Sequence, residues 1–119
     1  MRRYRALVER TREAGDPLVL VLDLLGPNER ATDWFPGMQV RIDRMNAEIE
    51  RMVAELDDPD VRILSVRELV GPDPETDPVP DGLHYDADLR RRIGQAVADA
   101  AMDRVRALPE SARPAVLDV

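Results

Sequence analysis

The sequence has no cysteine, no lysine, one histidine and two serines, and no uninterrupted apolar run longer than five residues. Each absence removes some chemistry. Without cysteine there is no disulfide scaffold, thiolate metal site or cysteine nucleophile, and cysteine usage leaves the redox compartment unmarked. Without lysine there is no Schiff base, no phosphate-cradling amine of a P-loop and no receiver-type signalling site; all 17 basic residues are arginine. The run at residues 18–22 is far too short to span a bilayer, and the chain is expected to be cytoplasmic. Acids outnumber bases by 24 to 17, for a formal charge of −7, so neither nucleic acid nor an anionic membrane surface is an expected partner. What is present, 44% apolar and 34% charged residues over 119 positions, suits one soluble domain with one modest core.

The spacing of Tyr4, Leu7, Val8 and Thr11, stopped by Gly15, predicts an amphipathic helix over residues 2–14. Residues 18–22, between Pro17 and the turn Gly26-Pro27-Asn28, predict a strand covered on both faces, as parallel sheets require. A loop over residues 26–37 carries Trp34 and Phe35. It leads to a long helix with a buried stripe of Ile42, Met45, Ile49, Met52, Val53 and Leu56, ended by Asp57-Asp58-Pro59. Val61, Ile63, Leu64 and Val66 predict a second strand, and Pro72, Pro74, Pro78 and Pro80 exclude regular structure over residues 71–82. Asp86 is placed to cap a last helix carrying Leu89, Ile93, Ala96, Val97, Ala100 and Ala101 on one side, and residues 108–119 read as a flexible tail. The order α-β-α-β-α is that of a parallel α/β layer. Two strands with an unpaired edge make a poor sheet, so the chain reads as part of a larger one.

His84 lies between the proline-rich loop and a helix start, after the second strand, where α/β sheets place their ligand crevice. A carboxylate three residues earlier, with Gly82 between, can fold back so that Asp81 orients the imidazole and His84 serves as a general base. The plain alternative is a solvated histidine beside a turn-forming aspartate. Asp73, Asp77, Asp81, Asp86 and Asp88 lack the alternation of a calcium loop and read as solvated acids, so no metal is expected. Asp23 ends the first strand as a receiver phosphoacceptor does, but the acidic pair and lysine such a site needs are missing. Met45 and Met52 read as core filler.

The segment Asp81-Gly82-Leu83-His84-Tyr85-Asp86-Ala87-Asp88-Leu89-Arg90-Arg91-Arg92-Ile93-Gly94 resembles, without a gap, the last block of the SGNH (GDSL-like) hydrolases. That block is D-G-x-H followed by a helix of the form x-x-A-E-G-x-R-x-I-A. Upstream, residues 41–49 with Asn46 are similar to the helix before that family's last strand, residues 61–66 to the strand itself, and Pro27 fits the loop before them. The resemblance implies a three-layer α/β/α parallel sheet of flavodoxin-like type, of which residues 1–107 are the later part. It also implies a small-molecule ester or acylated substrate and no cofactor. His84 would activate a serine and then protonate the leaving alcohol, Asp81 would hold its tautomer, and Trp34 is a candidate lining residue for an acyl or aryl pocket.

The family's G-D-S block, its oxyanion-hole glycine and its G-x-N-D block have no counterpart, and Leu89 and Arg90 stand where the family has glycine and an aromatic. Ser65, read as lying inside the second strand, and Ser111, in the tail, are not on a strand-to-helix turn that would expose a nucleophile. The expectation is therefore the Asp–His portion of a serine esterase, inactive alone. The other reading is a noncatalytic α/β interaction module or degenerate pseudoenzyme that joins a protein partner, or itself, through the open sheet edge.

Overall fold

The computed structural model describes residues 1–72 and 74–113. The order is α1 (Arg2–Glu13), β1 (Val19–Leu22), α2 (Glu29–Trp34), α3 (Met38–Leu56), β2 (Val61–Leu64), α4 (Val66–Val70), α5 (Ala87–Arg106) and a 3-10 turn at Glu110–Ala112. β1 and β2 pair in parallel, with Val19 opposite Val61 and Leu22 opposite Leu64. These two strands form the whole sheet seen among the described residues. The layered sheet implied by the resemblance needs further strands.

Alternation along each strand decides where the core sits. Val21 and Val61, with Val19 and Ile63 beside them, pack against Val8 of α1 and against Ile49, Met52, Val53 and Leu56 of α3. The opposite face carries Leu20, Leu22, Arg62 and Leu64, and Leu22 and Arg62 are exposed. The strand expected to be covered on both faces is thus covered on one. Because the Val19 N–H reaches Asp60 of the β2 side, alternation turns the amides of Leu20 and Leu22 to the outer edge of β1. The radius of gyration is 16.8 Å and the extents are 54 × 35 × 19 Å, against about 13–14 Å for a compact domain of this length.

Helix ends follow local chemistry. Asn28, Ser65 and Asp86 each turn a side-chain oxygen onto the N–H three residues on, capping α2, α4 and α5. The cap at Asp86 matches the sequence reading. α3 stops where Asp57 takes a left-handed conformation, φ 47°. At the amino ends of the strands Arg12 of α1 binds Asp58 at 2.7 Å and the Pro17 carbonyl at 2.6 Å. Arg104 of α5 reaches Asp60 nearby at 3.2 Å.

Several expectations are corrected here. The loop over residues 26–37 contains α2, and Val66 begins α4 rather than continuing β2. Tyr4 and Leu7 of α1, Met45 of α3 and Val97 of α5 are exposed, so the true stripes are narrower than the apolar pattern. Residues 108–113, the start of the segment read as a tail, carry the 3-10 turn, and Arg113 donates to the Arg106 and Leu108 carbonyls; residues 114–119 lie outside the described residues. No helix among the described residues is long and apolar enough to cross a membrane.

Asn46, read only as a helix residue, is 2% exposed and pairs with both the N–H and the C=O of Leu24, each at 2.8 Å. Its amide stands in for a neighbouring backbone and fixes the chain leaving β1. Asn46→Ala is expected to cost about 1–2 kcal/mol, the net of two hydrogen bonds whose backbone partners water reaches only in part, seen as a lower urea midpoint with an unchanged slope.

Candidate active site

Two polar groupings lie beyond the carboxyl ends of the strands, where parallel sheets leave a crevice. The first is centred on Asp23, immediately after β1 and 4% exposed. Its carboxylate accepts from Ser65 Oγ at 2.6 Å, the Val66 N–H at 2.7 Å, the Arg67 N–H at 3.4 Å and Arg67 Nε at 3.3 Å. Arg67 continues to Glu50 at 3.2 Å. An open cleft of about 680 Å³ lies above, lined by Asp23, Glu50, Ser65, Arg67, Glu68 and Gly71 among others.

Ser65 is therefore on a strand-to-helix turn, contrary to its expected place inside β2. It still lacks the means to act as a nucleophile there. Its hydroxyl donates to Asp23 and accepts from the Glu68 N–H. The two N–H groups that would form an oxyanion hole, those of Val66 and Arg67, are already given to Asp23. His84 lines a different cavity. Asp23 is thus a tie between β1 and the first turn of α4, a negative charge set where a helix start favours one.

The second grouping is the Asp81 turn. Asp81 Oδ1 accepts the Leu83 N–H at 2.8 Å and the His84 N–H at 2.7 Å, while Oδ2 meets His84 Nδ1 at 2.5 Å. Gly82, at φ +84°, supplies the left-handed residue that lets the chain fold back. The His84 backbone N–H, its ring and the Leu83 N–H hold the Asp81 carboxyl well below the usual carboxylate range. Facing an ionised acceptor, Nδ1 carries a proton, and Nε2 has no partner among the described residues. The His84 side chain is 81% exposed, beside a cavity of about 470 Å³ lined by Leu83, His84, Tyr85 and Arg90.

This fixes an acid dependence. Asp81 titrates lower folded than unfolded, so its contribution to stability is complete above the ordinary carboxylate value and is lost as pH falls through the depressed folded value. Its carboxyl 13C resonance is expected to stay in the ionised position in acid that has already protonated unpaired exposed carboxylates; titration together with them would break the assignment.

Trp34 closes α2 and is 55% exposed; it is not among the residues lining the His84 cavity. The other loop acids are engaged elsewhere: Asp86 caps α5, Asp88 binds Arg91 and Arg92, and Asp77 binds the Val79 N–H and Asn28. Among the described residues no group of three or more such side chains could hold a metal ion; Asp73 lies outside them. The residue the sequence reading missed is Asn28. Its only signal there was its place after Gly26-Pro27, which marked a turn, whereas in the fold it reaches Val79 and Asp77, about fifty positions away in the chain.

No family model matches the chain, and no curated protein or solved structure matches it.

Proposed function

We propose that this chain is the Asp–His-bearing portion of an SGNH-type serine ester hydrolase, acting on a small-molecule ester or acylated substrate in the cytoplasm. The observation that supports it is the Asp81–His84 pair, with the carboxylate on Nδ1 and on two backbone amides. In this reading His84 Nε2 takes the proton of a serine hydroxyl as that oxygen adds to the ester carbonyl. The imidazolium, stabilised by Asp81, then gives the proton to the departing alcohol as the C–O bond breaks, and water repeats the cycle on the acyl-serine. No cofactor enters.

The serine and its oxyanion donors belong to another segment, either joined to this chain or bound to it. The outer edge of β1, where the amides of Leu20 and Leu22 have no acceptor among the described residues and no charged residue stands between Leu18 and Leu22, offers a place for such a segment to add a strand. The same edge favours a second reading, a noncatalytic module that uses it to hold a protein partner.

The test is to purify the native protein from its producing cells and react it with a fluorophosphonate. Labelling at a serine of a polypeptide that contains or accompanies this chain, lost in His84→Ala, supports the hydrolase. An unlabelled native protein whose biological role survives His84→Ala overturns it in favour of the module.

A further inference from the structure

Asn28 sits after β1, far in sequence from the Asp81 turn, yet it binds that turn's neighbourhood with both ends of its amide. Its Oδ1 accepts the Ala31 N–H at 2.9 Å and so caps α2. Its Nδ2 donates to the Val79 carbonyl at 2.5 Å and to Asp77 Oδ2 at 3.1 Å. Val79, 6% exposed, is buried beside it. The Val79 carbonyl also accepts the Gly82 N–H at 2.9 Å, so one oxygen joins Asn28 to the turn that carries the pair. The backbones meet closely here: a Cβ on Gly82 would lie 3.2 Å from Asn28 Oδ1 and from the Ala31 N.

From these contacts we infer that Asn28 is a positioning residue for the Asp81–His84 pair, locking the residue 77–84 loop onto the start of α2 so that Asp81 holds His84 in one tautomer. The loop needs such a lock. It is rich in proline, has no ladder of its own and leaves His84 almost wholly exposed, so nothing packed around the ring fixes its place. The consequence for chemistry rests on the hydrolase reading, but the lock itself does not.

The two roles of the amide separate by substitution. Asn28→Asp keeps an acceptor for the Ala31 N–H and so keeps the cap. It replaces the donor by a carboxylate oxygen facing the Val79 carbonyl and Asp77, which repels where Asn28 bound. Imidazole 15N spectra of the full chain, taken where His84 is neutral, read the tautomer directly. The wild type is expected to show the Nδ1–H form. Asn28→Asp, with unchanged far-UV circular dichroism, is expected to show both tautomers in comparable amounts.

If Asn28→Asp fails to fold, Asn28→Ser keeps an acceptor for the Ala31 N–H and is too short to reach the Val79 carbonyl, so it removes the donor without touching the Asp81 turn, and the same mixing is expected. A single Nδ1–H form in the folded variant, or a mixture already present in the wild type, overturns the lock. Loss of fluorophosphonate labelling in His84→Ala together with an unmoved tautomer in Asn28→Asp would remove this inference and leave the hydrolase. The opposite pair of results would do the reverse.

Discussion

Asp23→Ala is expected to destabilise the chain by about 3 kcal/mol, a large share of the roughly 5–15 kcal/mol typical of whole domains. The carboxylate is 4% exposed and serves Ser65, Val66 and Arg67 together. Alanine would leave the fully buried Val66 amide without its acceptor, and a stranded buried donor costs more than the bond it made. It would also uncouple the end of β1 from the first turn of α4, which continues directly from β2. Urea denaturation followed by far-UV circular dichroism measures this. A loss below about 0.5 kcal/mol, the range of neutral surface changes, would show that Asp23 is not the tie described.

In the assembled protein that carries the serine, His84→Ala is expected to slow fluorophosphonate labelling by about 10²- to 10⁴-fold, the usual worth of a positioned general base. Asp81→Asn is expected to give a loss of the same order with His84 still present. An asparagine amide in place of Oδ2 prefers the acceptor tautomer of Nδ1, putting the proton on Nε2 where a base must be bare. The two substitutions together are expected to cost little more than His84→Ala alone, because the residues act as one unit. Additive losses in the double variant would count against a shared role.

How far the sequence foretells these features depends on the range over which each is determined. The hydrogen bonds inside the Asp81 turn run between a carboxylate and a histidine three residues on, and Gly82 between them makes the turn readable. The cap at Asp86 and the stop at Asp57 are equally local. α4 is a different case. Ser65-Val66-Arg67-Glu68 has the S-x-x-E form of a helix start, but Val66 also extends the apolar pattern of Val61, Ile63 and Leu64, and the strand reading absorbs it. α2 is six residues long, too short for any period to emerge over the turn signal around it. The apolar stripes are overread because a helix covered on one side only buries fewer positions than its periodicity offers, as Met45 and Val97 show. Asn28, Asn46 and the tie at Asp23 are not legible, since each joins residues 22 to 51 positions apart.

The last helix shows how so one-sided a fold would respond to its solvent. α5 is twenty residues long, a rod of about 30 Å, and Leu89 near its start is its single buried side chain. Its far end is held by Arg104 on Asp60, an ion pair that solvent reaches in part. A rod whose near end rests on a buried apolar contact, and whose far end adds an ion pair to the half-buried Met102 and Val105, answers to two different properties of the medium. Added salt screens the far attachment and leaves the near one, so ionic strength becomes a dial on how much of the helix stays against the body and how much breathes, with amide exchange spreading from Arg106 toward Leu89 as the dial is turned.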